Sequence, residues 1–420
     1  MVSPKVLIIS RTDYLRDKES EANTIRSFMT VFPQEDVRSI LCGDFNLNKT
    51  GRLDNNTYQL GHKDIFGASL LMKETRQSSV SIVQSITPRK KGLSFRGWLK
   101  SLAINIYSLL PYKMSQDMRS FITDFHPDII YTTFTNNREM LLARRISREW
   151  KIPMIPHFFD DWPNVYYKGS SGEILFKKLF NNRLKSVLKE VPVCLCISER
   201  MCWEYERRYS IDKSIQLLNC VDNNSCQNST PPPKSFFYFG SLYLGRGETL
   251  KKLCEALSQK NYDICIYIGA PERHWEAYEP ILGRYSFVKY LGFLVAGDLV
   301  NAITKADVLL FVESFEESML DLTRLSLSTR IPELLATGKY ILAMGHRDQG
   351  SIAYLKKHNA AYVIDNEHMI DARINDVIEG KNSEIVLKNA SCLFRNNHER
   401  MRQQQLFYDT IQSVVGQNVY

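Results

Sequence analysis

The sequence predicts an α/β protein built from two Rossmann-like, doubly wound parallel-sheet domains facing a central cleft. Three observations carry this expectation. Short apolar runs alternate with amphipathic helical stretches along most of the 420 residues, the pattern of parallel strands joined by crossover helices. The alternation occurs twice, separated by a polar, proline-rich break (DNNSCQNSTPPPK, 222–234) with the composition of a linker. The length also exceeds that of one typical domain. The boundaries read as a first domain over 1–221, a linker over 222–234, a second domain over 235–393, and a C-terminal helix over 394–420 packing back towards the first domain.

Taken in order, KVLIIS (5–10) reads as the first strand, followed by an amphipathic segment around 25–32. The turn after that strand is SRTDYLRDKES, without the G-x-G-x-x-G of a dinucleotide site, which argues against NAD or FAD. Residues 43–87 are polar and weakly periodic, a hairpin or an insertion. Strands follow at IIYTTF (129–134), IPMIPHFF (152–159), VPVCLCIS (191–198) and IQLLNCV (215–221), with helices at 137–150 and 199–208 between them. In the second half, strands are expected at FFYFG (236–240), DICIYIG (263–269), FVKYLGF (287–293), DVLLFV (307–312) and YILAMG (340–345). Within SLSTRIPELLATGKYILAMG (326–345), Ser328 and Thr329 are helix-capping residues, Pro332 suits a first turn and Gly338 a left-handed stop.

Composition narrows the class. Hydrophobic residues make up 44% and charged residues 24%, as in globular proteins. No apolar run reaches membrane-spanning length and no signal peptide is expected at the N-terminus. The nine cysteines are scattered, as in a reduced, cytoplasmic protein. Cys194 and Cys196 face one way on a strand, either as packed thiols or as half of a metal site without further ligands nearby. The formal charge of +8 favours anionic partners. No nucleic-acid reading motif accompanies it. Residues 88–113 (PRKKGLSFRGWLKSLAINIYSLLPYK) combine Arg89, Lys90, Lys91, Arg96 and Lys100 with Trp98 and a helical spacing of apolar residues. Such a helix either packs its apolar side on a core or lies on anionic lipid.

Three constellations carry candidate chemistry. FFYFGSLYLGRGETL (236–250) is a glycine-bearing strand-to-helix turn where backbone N–H groups, Ser241 and Arg246 suit a phosphate, although the P-loop pattern is absent. Ser328, Thr329 and Arg330 form a second anion-binding helix start, with Glu333 serving sugar hydroxyls or the helix dipole. In PHFFDDWPN (156–164), His157, Asp160 and Asp161 cluster at a strand end, where they either handle a proton and bind hydroxyls or cap a loop around Trp162.

With these pieces placed, the chain resembles the GT-B glycosyltransferases, and within them family 4, the retaining nucleotide-sugar transferases of bacterial capsule, O-antigen and exopolysaccharide synthesis. The resemblance covers nearly the whole chain. It rests on an ordered set: YFGSL (238–242), Arg246–Gly247, LGF (291–293), ADVLLFV (306–312) and STRIPELLATGKYILA (328–343). It implies a donor diphosphate held by Arg246, Ser241 and the segment Ser328, Thr329, Arg330. It also implies a base or ribose site at Leu291, Gly292, Phe293 and Glu333, the last matching the second glutamate of the E-x7-E signature. The first glutamate of that signature falls at Leu325, so its contact is missing or comes from Glu313, Glu316, Glu317 or Asp321. The acceptor side is expected at His157, Asp160, Asp161 and Trp162, with His157, Asp160 and Glu333 as catalytic candidates.

The resemblance therefore implies transfer of a sugar from a nucleoside-diphosphate donor to a hydroxyl of a growing glycan, which the basic aromatic helix of 88–113 suggests is lipid-linked. It implies no cofactor, no metal ion and no nucleic acid. The basic amphipathic segment sets the expected place of work at the inner face of the cytoplasmic membrane, with Arg89, Lys90, Lys91, Arg96, Trp98 and Lys100 expected to contact anionic lipid. Two alternatives stay open: a nucleotide-sugar epimerase of the same fold, and a non-catalytic nucleotide- or glycan-binding scaffold.

Overall fold

The computed structural model describes residues 3–17, 19–43, 51–64, 95–224, 233–260 and 262–417. Arg89, Lys90 and Lys91, and most of the 222–234 linker, lie outside these residues. The chain forms two compact units, Met1–Leu218 with Gln403–Tyr420, and Asn219–Arg402.

The first unit carries an eight-stranded sheet of β1 (Val6–Ser10), β2 (Val37–Leu41), β3 (Gly51–Arg52), β4 (Thr57–Gln59), β5 (Ile129–Thr132), β6 (Met154–Phe158), β7 (Cys194–Cys196) and β8 (Ser214–Gln216). Their order is β3-β4-β2-β1-β5-β6-β7-β8. All neighbours are parallel except β3 and β4, which make the antiparallel hairpin allowed for 43–87. The order reverses at β1 and β5, where a doubly wound sheet places its ligand crevice. β1, β5 and β6 are buried at every position, as strands covered on both faces must be.

Local chemistry sets the helix limits. Asn136 caps the helix Asn137–Trp150 by accepting from the amides of Arg138 and Glu139, and Lys151 ends it in the left-handed region at φ 55°. The helix Arg400–Gln417 closes the chain. From Gln403 onward it belongs to the first unit, where Phe407 packs on Phe28, Phe32 and Tyr131. Gln404 donates to the Ser27 carbonyl at 2.6 Å.

The second unit carries a wholly parallel six-stranded sheet of β9 (Ser235–Phe239), β10 (Cys265–Gly269), β11 (Val288–Gly292), β12 (Val308–Val312), β13 (Tyr340–Met344) and β14 (Tyr362–Ile364). The order β11-β10-β9-β12-β13-β14 reverses between β9 and β12. Phe236, Tyr238, Leu310, Val312, Leu342 and Met344 form its core with Leu250, Leu253 and Ile374 from the covering helices. Each fully buried aliphatic side chain contributes roughly 1.5–3 kcal/mol. No helix among the described residues is long and apolar enough to cross a membrane.

Candidate functional site

The site of the second unit is built on the carboxyl ends of β9 and β12. β9 ends at Gly240, whose φ of +125° is a glycine conformation, and a Cβ there would stand 2.9 Å from Arg330 Nη1. The glycine thus lets the Arg330 guanidinium lie against the strand end, where it donates to the Phe239 carbonyl at 2.8 Å. Gly245, in the left-handed region, is the cap of the helix Arg246–Ser258, and a Cβ on it would meet Ser314 Oγ at 2.4 Å. Removing two side chains draws Ser314 and Arg330 close to the loop that presents Arg246.

Arg246 donates from Nε and Nη2 to the two carboxylate oxygens of Glu313, both at 3.0 Å. Arg330 reaches the same carboxylate with Nη2 at 3.8 Å. Its guanidinium also lies over the Tyr238 and Phe311 rings, 5.3 and 5.4 Å from their centroids. Glu313 is almost wholly buried and its backbone carbonyl accepts from Thr249 Oγ1 at 2.8 Å. Burial by itself would lower the Arg246 pKa, but the adjacent Glu313 carboxylate outweighs it and the net shift is upward. Two cations on one carboxylate leave one surplus positive charge, and Arg246 keeps three N–H bonds beyond the two spent on Glu313.

The strand ends stand level across the sheet. The Gly240 amide donates to Gly269 O at 2.8 Å, and the Ala270 amide to Gly292 O at 3.1 Å. β11 therefore ends two strands from β9, roughly 10 Å away. Leu291 and Phe293 are exposed there, beside Gly292 at φ +80°. His274 was not foreseen. It is buried against the Tyr243 ring at 3.9 Å, with neither ring nitrogen partnered. Desolvation first, then the charges of Arg273 and Arg246, lower its pKa and keep it neutral.

Other expected groups in this unit need adjustment. Thr329 makes no capping bond; Ser328 Oγ instead accepts from the Arg330 amide at 3.4 Å. Ser241 Oγ accepts from the Tyr243 amide at 3.2 Å, which leaves its O–H as a donor. Glu333 is exposed on the helix Arg330–Ala336; desolvation by surrounding chain raises its carboxyl pKa, with Arg330 opposing. Leu325 is buried, so the first carboxylate of the signature is not replaced at that position; Glu313 is the one that stands beside both arginines.

In the first unit, His157 is corrected. It lies inside a strand buried on both faces, fully enclosed by Phe28, Tyr131 and Phe159, with Nδ1 at 2.9 Å from the Tyr131 hydroxyl. Burial lowers its pKa to about 3, so it is a neutral core histidine with no access to an acceptor. Asp161 is also committed elsewhere: Arg208 Nη1 contacts both its oxygens at 2.8 and 2.9 Å, and Tyr205 donates at 3.2 Å. Trp162 starts the short helix Trp162–Val165 and is half-buried, as is Asp160. Cys194 and Cys196 are core thiols whose pKa burial raises, and no group of three or more metal-ligating residues occurs among the described residues.

A carboxylate pair that sequence reasoning missed sits just beyond β5. Glu139 accepts from Thr132 Oγ1, the Thr133 amide and hydroxyl, and Thr135 Oγ1 at 2.5–3.2 Å. Thr133 Oγ1 is also 3.1 Å from Glu21 Oε1. The single Thr133 hydroxyl proton thus lies between the two carboxyl groups, and Glu21 has the fewer donors. Burial, reinforced by the Glu139 charge and opposed by Arg11, pushes Glu21 up to about 7. Its signal was the run TTFT followed by an acid in the next helix's first turn.

No family model matches the sequence, and no curated protein matches it either. Solved structures do. The chain is similar to HepE from Anabaena, crystallised in complex with UDP and glucose, at 12% identity and a TM-score of 0.59 over 98% of this chain and 100% of that one. It is similar to trehalose 6-phosphate synthase from Burkholderia multivorans at 12% identity and 0.63, over 99% and 98%. It is also similar to the lipopolysaccharide outer core galactosyltransferase WaaB at 14% identity and 0.54, over 98% and 99%. Two parallel-sheet units, each with its order reversal, and these likenesses over nearly the full length establish that the chain has the GT-B fold of glycosyltransferases.

Proposed function

We propose that this protein is a glycosyltransferase that moves a sugar from a nucleoside-diphosphate donor to a hydroxyl of a lipid-linked glycan in surface-polysaccharide synthesis. The observation that carries the reading is the Arg246–Glu313–Arg330 cluster at the β9 and β12 strand ends. Its surplus positive charge and the Arg246 N–H bonds not spent on Glu313 suit a diphosphate, and they act most strongly as the leaving group gains charge in the transition state. The residues at Leu291, Gly292 and Phe293 would take the base, and Glu333 the ribose or sugar hydroxyls. On the acceptor side Asp160 replaces His157 as the group that orients the hydroxyl. Retention of configuration and absence of a metal requirement follow from the family resemblance, and work at the inner face of the cytoplasmic membrane from the basic aromatic segment 88–113.

The test is turnover of UDP-, GDP- and ADP-sugars with and without a membrane lipid extract. Acceptor-dependent release of one nucleoside diphosphate supports transfer. Conversion of the donor sugar without any acceptor would favour the epimerase instead. A scaffold is the second reading, because Leu325 stands buried where the signature has a carboxylate and Arg246 is already engaged by Glu313. Binding without turnover would select it.

A further inference from the structure

The helix Phe95–Ser108 is inverted relative to an ordinary surface helix. Its buried positions are polar: Asn105 donates to Ser170 Oγ and the Ser171 carbonyl at 2.9 and 2.8 Å, and Ser108 Oγ lies 2.8 Å from the Tyr167 hydroxyl. Its solvent side is apolar. Phe95, Leu99 and Ile106 fall on one stripe at 100° per residue, with Phe95 74% and Ile106 53% exposed. A second helix, Glu173–Leu188, buries Phe176, Phe180 and Leu184 while leaving Ile174 86% and Leu175 58% exposed. The two exposed faces share one junction. Ser101 Oγ accepts from the Ser171 amide at 3.0 Å, and a Cβ on Gly172 would lie 3.7 Å from Leu102.

We propose that these two helix faces together form a docking platform for an anionic phospholipid bilayer, with Ile174 and Leu175 as a second insertion point beside the Phe95–Leu99–Ile106 stripe. The inference rests on the proposed function only in taking the acceptor to be lipid-linked. Charge selects lipid over other occupants. Arg96, Lys100 and Lys178 stand exposed on the two helices, and between Glu74 and Asp117 the sequence carries seven basic residues and no acidic one. A second copy of the chain would set cation against cation across the apolar patch, whereas anionic headgroups neutralise it. Apolar side chains enter the headgroup boundary while lysines and arginines hold the surface, the arrangement of an interfacial helix.

The experiment is co-sedimentation of the full-length protein with vesicles of phosphatidylcholine containing phosphatidylglycerol, and with pure phosphatidylcholine. The wild type should pellet with the first, release as salt rises, and stay in solution with the second. Ile174→Asn with Leu175→Asn, which leaves the basic helix and the donor cluster intact, should weaken partitioning by at least about tenfold. Arg96→Gln, Lys100→Gln and Lys178→Gln should each weaken it roughly fivefold and together remove the preference for anionic vesicles. All these positions are exposed, and unchanged melting curves confirm the fold. Unchanged partitioning of the Ile174/Leu175 variant overturns the platform. So does concentration-dependent self-association of the wild type without vesicle binding, which assigns the face to a second copy. Vesicle binding requires no turnover, so a failure here leaves glycosyl transfer to be judged separately, by donor turnover with a soluble acceptor.

Discussion

Arg246 and Glu313 form a buried bidentate ion pair, Nε and Nη2 each 3.0 Å from a carboxylate oxygen, and the pair joins a residue after β9 to one after β12, 67 positions apart. The pair fixes one edge of the guanidinium and leaves three of its N–H bonds beyond it. Glu313 also holds two cations together that would otherwise repel. Glu313→Gln should therefore destabilise the unliganded protein by on the order of 3–5 kcal/mol, as breaking a buried pair does. A diphosphate then supplies the missing negative charge, so the rise in melting temperature on adding nucleoside diphosphate should be larger in Glu313→Gln than in the wild type. Calorimetric melting with and without ligand checks both signs.

The two glycines at φ > 0 that differ in surroundings make a matched pair. In Gly240→Ala the new methyl would collide with Arg330 at 2.9 Å, displacing the guanidinium from the Phe239 carbonyl. In Gly338→Ala, at φ +67°, nothing lies within 4 Å of the new atom. Both should cost about 1–2 kcal/mol for the left-handed backbone, but only Gly240→Ala should weaken diphosphate affinity, by about tenfold or more. Isothermal titration of the two variants separates strain from loss of the site.

Glu21, buried beside Glu139 beyond β5, sets a pH dependence. Glu21 is raised from an ordinary 4.5 to about 7, so the folded chain holds its proton more tightly than the unfolded chain. The stability this provides is complete below pH 4.5 and is lost as pH rises through about 7. Relative to Glu21→Gln, the wild type should lose on the order of 1–3 kcal/mol between pH 5 and 8. Denaturant melts across that range should show the variant with the flatter profile. Parallel profiles would remove Glu21 from the titration.

His157→Ala should act on stability. The side chain fills a core site among Phe28, Tyr131 and Phe159 and partners the Tyr131 hydroxyl. Its loss leaves a cavity and an unpaired buried hydroxyl, costing on the order of 2–4 kcal/mol. Urea melts should register that loss, while nucleotide affinity of the folded protein stays within about twofold, since the second unit holds the arginines.

Much of the fold was legible because parallel strands buried on both faces must be short apolar runs, and β1, β5, β9, β12 and β13 are such runs. β14 escaped because it is a three-residue edge strand, only partly buried. The helix Glu173–Leu188 escaped because exposed Ile174 and Leu175 blur its apolar periodicity. The C-terminal helix buries Phe407, Ile411 and Val414 and leaves Leu406 exposed. In the site, Arg246 and Arg330 were visible as cations at glycine-bearing helix starts. Glu313 was visible only as one of four carboxylates, because its role depends on strand order. His157 was misread because a residue near a strand's carboxyl end can still lie within a layer enclosed on both faces.

The central claim is that Arg246 and its neighbours hold the diphosphate of a nucleotide-sugar donor. A thermal-shift screen of the wild type and Arg246→Ala against UDP, GDP, ADP and CMP, with their common sugar conjugates, tests it most directly, because a ligand that binds only the folded state raises the melting temperature. A rise of several degrees with one diphosphate series, absent in a folded Arg246→Ala protein, is the predicted result. No rise with any nucleotide, or a rise of the same size in Arg246→Ala, would contradict the claim.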